Sequence, residues 1–75
     1  MANSLEEQTF IKQLGHRIVT LRKAKNLKQL DLAAAINMED SALRRIENGR
    51  TNPTLKTLQR IATGLDITVA SLLNF

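Results

Sequence analysis

The chain has 75 residues, of which 43% are hydrophobic and 24% are charged, so it has the composition of one globular domain and is too short for two. With 11 lysines and arginines against 7 acidic residues, its formal net charge is +4, which favours a polyanionic partner. The lack of cysteine excludes disulfides and thiolate metal sites. Because the apolar runs are short and the N-terminus is acidic, we expect no membrane span and no signal peptide, and hence a cytoplasmic protein.

The spacing of apolar residues predicts helices and no strands. A first helix is predicted over about residues 5–25, with a capping box formed by Ser4 and Glu7. Four of its apolar residues recur at helical spacing and share one face: Phe10, Leu14, Ile18 and Leu21. Gly15 lowers the helix propensity, so it indicates either a close contact with another helix or a local break.

Two short helices are predicted next, over about residues 29–36 and 40–47. Asn26 and Asn37 are predicted to end the first and second helices, because asparagine tolerates the left-handed backbone conformation that a helix end often needs. Asn48 and Gly49 predict the end of the third helix.

Two further helices complete the chain. Thr54 is predicted to cap a fourth helix that ends near Gly64, and Thr68 is predicted to cap a short fifth helix. The expected fold is therefore all-α, with five short helices around one core. The predicted inward residues after the first helix are Leu27, Leu32, Ala33, Ile36, Met38, Leu43, Ile46, Leu55, Leu58, Ile61, Ala62, Leu65, Leu72 and Leu73.

The second and third helices carry the pattern of a helix-turn-helix over about residues 29–47. Ala33 lies where two steeply crossing helices leave no room for a larger side chain, and Asn37 lies where the turn needs a left-handed residue. Any compact helical domain shows some apolar spacing of this kind, but the combination in one short window favours a DNA-binding motif. The apolar positions of the motif are Leu32, Ile36, Met38, Leu43 and Ile46.

Residues 14–73 resemble the lambda-repressor-like (Cro/Xre) helix-turn-helix family. The matching segments are 14–18 (LGHRI), 21–22 (LR), 27–29 (LKQ), 32–33 (LA), 46–50 (IENGR), 52–55 (NPTL), 61–62 (IA), Leu65 and 71–73 (SLL). The resemblance implies a DNA-binding domain over 14–73, with 1–13 as an N-terminal extension of the first helix, that acts as a homodimer on a palindromic operator. The chain departs from the family at Lys28 and Glu39, where serine or threonine is common, and at Asp66, where glycine is usual.

In a helix-turn-helix the recognition helix lies in the major groove, with exposed side chains near its N-terminus at the base edges. The predicted base-reading residues are Asp40, Ser41, Arg44 and Arg45. A guanidinium matches the two acceptors of guanine; Arg45 also matches a base-reading position of the family, whereas Arg44 is alternatively a phosphate contact or a solvated side chain. Ser41 could contact a base or a phosphate. Glu39 and Asp40 either accept from cytosine amino groups or cap the helix.

Phosphate contacts are predicted beside that helix. Gln29 begins the second helix, where its amide and the backbone N–H groups can clamp a phosphate oxygen, and the resemblance points to the same residue. The full set is Lys28, Gln29, Asn48, Arg50, Thr51 and Asn52. Two stretches, 12–28 and 44–60, are rich in basic residues and poor in acids, which we expect to give the DNA-facing charge. The resemblance further implies an ion pair of Arg22 with Glu47 that fixes the recognition helix.

Dimer contacts are predicted at apolar C-terminal residues, Val69, Leu72, Leu73 and Phe75, or alternatively at Phe10 and Ile11 of the N-terminal extension. Either patch alternatively completes the core. His16 is the one histidine and has no companion ligands or catalytic groups, so no enzyme activity, metal or cofactor is expected.

The favoured function is a small bacterial or phage transcription regulator, of the controller-protein or phage-repressor type. The alternative is an antitoxin that binds a toxin protein and represses its own operon. A domain that binds proteins and not DNA is a further alternative. The additional protein partner would be RNA polymerase for a transcription regulator, or a toxin for an antitoxin.

Overall fold

The computed structural model describes residues 4–75, and side chains from residue 5 onward. Five helices follow one another: α1 (Ser4–Ala24), α2 (Gln29–Ala35), α3 (Asp40–Glu47), α4 (Leu55–Gly64) and α5 (Val69–Leu72). No strand occurs within residues 4–75. The predicted all-α fold of five helices is confirmed, while the capping box predicted at Ser4 lies outside the described side chains.

The first four helices end in the same way, with one residue in the left-handed conformation. These residues are Asn26 (φ 58°), Asn37 (φ 53°), Gly49 (φ 70°) and Asp66 (φ 57°). At each end, two backbone N–H groups turn back to carbonyls of the last helical turn, as Asn37 N–H does to Ala34 O (3.2 Å) and Met38 N–H to Ala33 O (2.9 Å). This is the Schellman arrangement. The turns predicted at the two asparagines are confirmed, and Asp66, where the family resemblance led us to expect glycine, adopts a left-handed conformation.

The helix starts divide into two kinds. Thr54 and Thr68 cap α4 and α5 as predicted, their hydroxyls accepting from the N–H groups of Thr57 (3.2 Å) and Ser71 (3.0 Å). Lys28 and Glu39, which precede α2 and α3, make no side-chain cap. At α2 the carboxylate of Asp31 accepts from the Lys28 backbone N–H at 2.9 Å, which is the half of a capping box that the third helical residue supplies.

All five helices contribute to one apolar core. Its members are Leu14, Ile18, Leu32, Ala33, Ile36, Leu43, Ile46, Leu58, Ile61, Ala62, Leu65 and Leu72, and partly buried Leu21, Leu27, Met38, Ile67, Val69 and Leu73 pack against them. Burying each leucine or isoleucine contributes roughly 1.5–3 kcal/mol before conformational entropy is subtracted. The core therefore fixes how α3 sits against α1 and α2.

The prediction that Leu55 points inward is wrong, and Phe10 is not buried with the other residues of its helix face. Phe10 is 53% exposed because α1 extends beyond the core on its N-terminal side, where Leu14 is its first buried apolar residue. Its ring packs instead against that of Phe75, with centroids 5.3 Å apart. Leu55 is 74% exposed although it shares a helical face with Leu58, because the buried part of α4 begins only at Leu58.

Gly15 marks a close contact between helices, which decides between the two alternatives that the sequence left open. A Cβ atom at this position would lie 2.5 Å from the carbonyl oxygen of Glu47 and 2.6 Å from that of Ile46. The C-terminal end of α3 therefore rests directly on the backbone of α1, and α1 runs through Gly15 without a break.

Candidate nucleic-acid interface

The amphipathic pattern of α3 separates a buried face from an exposed one. Leu43, Ile46 and Glu47 are buried, whereas Ser41, Arg44 and Arg45 are exposed. Helical periodicity dictates this separation, because residues three or four apart share a face. The four residues predicted to read bases thus lie on α3 away from the core, although Asp40 is only partly exposed.

Two arginines on the exposed face differ in their contacts. Arg44 Nη2 donates to Asp40 Oδ2 at 3.1 Å, one helical turn away, and both side chains are about half exposed (53% and 44%). Arg45 has no hydrogen-bond or ion-pair partner among the described residues. The acidic charge of Asp40 is therefore balanced within the helix, and the guanidinium of Arg45 is available to a ligand.

A buried ion pair holds the other end of α3. Arg22 Nε donates to Glu47 Oε2 at 2.8 Å, and Arg22 Nη2 donates to Glu47 Oε1 at 3.0 Å. Both residues are 8% exposed. Arg22 Nη1 also donates to the Leu27 carbonyl at 2.8 Å, so one guanidinium joins α1, the turn before α2 and α3. The pair that the family resemblance implied is present.

Gln29 belongs to the same network, a contact that the sequence did not reveal. Its side-chain Nε2 donates to Glu47 Oε1 at 2.9 Å. The amide plane is thereby fixed at the start of α2, and Glu47 positions both Arg22 and Gln29. No local signal pointed to this contact, because the two residues are 18 positions apart.

The loop after α3 brings further polar groups beside Arg45. Asn48, Arg50 and Asn52 are exposed, and Thr51 is half-buried. Thr51 and Asn52 line a shallow cavity that Arg45 also lines. Gly49 turns the chain, and a Cβ there would lie 2.7 Å from Lys12 Cγ. Lys12 of α1, which was not among the predicted contacts, therefore borders this loop.

The predicted dimer residues fall into three groups. Leu72 has no exposed surface and completes the core, so it offers no area to a partner. Val69 and Leu73 are partly buried against the core. Phe75 is 48% exposed and contacts Phe10. The two patches that the sequence offered as alternatives, one at each end of the chain, therefore meet in one aromatic pair.

Residues 4–75 give no structural support for a metal site or a membrane span. His16 is exposed, and no three histidine or acidic side chains in this part of the chain are grouped so as to hold a metal ion. None of the described helices is both long and apolar enough to cross a membrane.

Comparison with known proteins identifies the class. Residues 18–72 match the sequence model of the HTH_3 helix-turn-helix family, and this match contains α2, α3 and α4 entirely. The chain belongs to this family.

Individual relatives come from phage and bacteria. The chain is 48% identical over 60 residues to the ImmF control region 10 kDa protein of Bacillus phage phi105, an alignment that covers 77% of this chain and 67% of that protein. Among other curated relatives the aligned share of the relative ranges from 41% to 82%.

Solved structures show the same architecture. The restriction-modification controller protein C.AhdI from Aeromonas hydrophila superposes with a TM-score of 0.79 at 34% identity, covering 85% of this chain and 96% of that one. The biofilm master regulator SinR, solved in complex with DNA, has a TM-score of 0.75 at 35% identity, covering 81% and 98%.

Proposed function

We propose that this chain is a transcription regulator that binds a palindromic operator in double-stranded DNA as a homodimer, through the domain of residues 14–73. The observation that carries the proposal is α3: one end is anchored by buried charged groups, and the exposed face presents Arg45, which has no partner among residues 4–75. The similarity to a phage control-region protein, a restriction-modification controller and a regulator solved with DNA supports it.

Base recognition is assigned to the exposed face of α3. Arg45 reads guanine through its two-pronged guanidinium. Arg44 contacts a base or a phosphate once its ion pair with Asp40 is broken. Breaking this pair costs little free energy, because exposed ion pairs one helical turn apart contribute about 0.3–0.5 kcal/mol. Ser41 and Asp40 set the preference at neighbouring base pairs. A hydroxyl forms hydrogen bonds with several bases, whereas a carboxylate accepts a hydrogen bond from the amino group of cytosine.

Phosphate binding is assigned to the flanks of α3, and it orients the protein without reading sequence. Gln29 is supported by its bond to Glu47, which leaves the second amide hydrogen and the oxygen of its side chain for a ligand. Lys28 lies next to it and is exposed. On the other flank, the loop residues Asn48, Arg50, Thr51 and Asn52 contact the DNA backbone.

Homodimerisation is assigned to the aromatic pair of Phe10 and Phe75, with the exposed parts of Val69 and Leu73. A single helix-turn-helix reads few base pairs, and two half-sites about 34 Å apart place both copies on one face of the duplex. Two half-exposed phenylalanines in contact are an apolar feature that a second copy would cover. RNA polymerase or a toxin as a further partner stays a prediction from the sequence.

Selection of bound fragments from random duplex DNA tests the proposed DNA binding. We expect a consensus of two inverted half-sites and an affinity that falls steeply with salt, because phosphate contacts release counterions. Recovery of no consensus, together with binding that is insensitive to salt, contradicts sequence-specific recognition. A consensus without inverted symmetry contradicts the homodimer while leaving DNA binding intact.

Sedimentation of the free protein tests the dimer surface. The variant with Phe10→Glu and Phe75→Glu should sediment as a monomer, because four like charges at a two-fold interface repel. Leu55→Glu is the matched control, since Leu55 is equally apolar and exposed but lies outside the aromatic pair, and it should remain dimeric. A double variant that stays dimeric contradicts this surface.

A further inference from the structure

The turn between α2 and α3 is held from outside by a side chain of α4. Arg60 Nη2 donates to the Asn37 carbonyl at 2.8 Å and to the neighbouring Ile36 carbonyl. These two carbonyls follow the last helical residue of α2, where the helix hydrogen-bonding pattern leaves acceptors without partners. A guanidinium there satisfies both acceptors and places positive charge at the negative end of the helix.

This contact distinguishes the α2 end from the other helix ends of its type. The ends of α1, α3 and α4 have the same backbone bonds and a left-handed residue. Within residues 4–75, none of those three has a side chain bonded to both the capping and the left-handed carbonyl. In the turn that sets the angle between the two helices of the motif, both of these carbonyls are therefore held by one side chain of another helix.

Close packing beside the clamp keeps α4 at the required distance. Gly64, one helical turn after Arg60, lets α4 approach α2, because a Cβ there would lie 2.5 Å from Ile36 Cγ2 and 2.8 Å from Leu32 Cδ1. Ile36 thus contacts α4 through its side chain and its carbonyl. α4 holds the end of α2 by packing and by hydrogen bonds together.

We propose that Arg60 is a positioning residue for DNA recognition: its guanidinium, bound to the Ile36 and Asn37 carbonyls, holds the turn so that α3 meets the base edges at a fixed angle. The inference rests on the proposed DNA binding. It separates Arg60 from the rest of the basic stretch 44–60 that the sequence suggested for the DNA-facing charge, because its Nη2 donor faces the turn. Loss of the clamp should loosen α3 against α2 and so reduce discrimination between sequences more than general attraction to DNA.

The experiment compares full-length variants on the selected operator duplex and on a scrambled duplex, over a range of salt concentrations. Arg60→Met keeps the apolar stem and removes the donors. Arg60→Lys keeps a charged donor. Lys56→Met is the matched control, since Lys56 is exposed one turn earlier on α4 and makes no hydrogen bond or ion pair among the described residues.

Arg60→Met should lower the ratio of operator to scrambled affinity by about tenfold, which is about 1.4 kcal/mol, and leave the salt slope unchanged. Arg60→Lys should restore part of the ratio, and Lys56→Met should keep it. Amide hydrogen exchange at Met38 should accelerate only in Arg60→Met.

An equal loss on both duplexes with a salt slope smaller by about 1 makes Arg60 a phosphate contact and overturns the inference. A lower melting temperature with an unchanged ratio also overturns it. If the unmodified protein prefers neither duplex, the proposed function itself has failed.

Discussion

At its C-terminal end α3 is held by buried charges, whereas at its N-terminal end its charged groups lie in solvent. Glu47 accepts three hydrogen bonds from Arg22 and Gln29 at 2.8–3.0 Å. Toward the N-terminal end of the helix, Asp40 and Arg44 make a single exposed contact at 3.1 Å.

The difference between the two ends indicates different roles: one end orients α3, and the other contacts DNA. A buried pair with all its bonds satisfied is costly to break, because removing one partner leaves a charge in a poorly solvated place. An exposed pair exchanges its partner for water or a ligand at little cost. The C-terminal end therefore fixes the direction of α3, and the N-terminal end remains free to exchange its contacts for DNA.

The largest expected effect comes from breaking the buried pair. Arg22→Ala or Glu47→Ala should destabilise the domain by about 3–5 kcal/mol, a large part of the roughly 4–11 kcal/mol expected for a chain of this length. Urea denaturation followed by circular dichroism measures the loss. An unchanged free energy of unfolding for both variants contradicts a structural role for the pair.

Gly15→Ala tests the C-terminal end of α3 without removing a charge. The added methyl group would meet the carbonyls of Ile46 and Glu47, so we expect a loss of about 1–3 kcal/mol. Helix propensity alone acts in the opposite direction by about 1 kcal/mol. Gln13→Ala on the exposed side of α1 serves as the control in the same denaturation measurement. A Gly15→Ala protein more stable than the original contradicts the close approach of α3 to α1.

Arg45→Ala tests the exposed face of α3. It should cost about 1–3 kcal/mol of operator binding and relax the preference at one base pair in each half-site, because Arg45 has no internal partner to lose. Folding stability should not change. Repeating the fragment selection with the variant measures the preference, and Lys56→Ala is the control for lost charge. A uniform loss over all sequences instead makes Arg45 a phosphate contact.

Asp40→Ala should have the smallest effect on stability, below about 0.5 kcal/mol. Affinity for a scrambled duplex at low salt should rise slightly, because a negative charge leaves the reading face and Arg44 loses its internal partner, whereas the operator should lose the preference assigned to Asp40. Fluorescence anisotropy with labelled operator and scrambled duplexes measures both changes, with Asp66→Asn as a control that removes an acid from the turn after α4. A large loss of stability contradicts the contrast between the two ends.

Much of the fold could be predicted because it depends on local chemistry. The helices follow from apolar residues spaced three or four apart, and Asn26 and Asn37 mark turns because few other residues adopt a positive φ easily. Leu55 was wrongly assigned to the core, and Phe10 is exposed although it shares a face with buried residues, since periodicity shows which residues share a face but not how far the face stays covered.

Long-range polar contacts were the part that sequence could not supply. The family resemblance implied Arg22 with Glu47, but the bond from Gln29 to Glu47 and the bonds from Arg60 to the turn depend on how α2 packs against α3 and α4 in three dimensions. Residue spacing carries no signal for partners 18 to 24 positions apart.

Titration of the isotope-labelled protein with the selected operator duplex, followed by amide chemical shifts, tests the central claim most directly. The account predicts the largest shifts at residues 40–45 of α3, at Gln29 and in the loop 48–52, with the buried pair of Arg22 and Glu47 remaining formed. Shifts concentrated on α4 and α5, with residues 40–45 unchanged, would contradict the assignment of α3 as the DNA-reading helix.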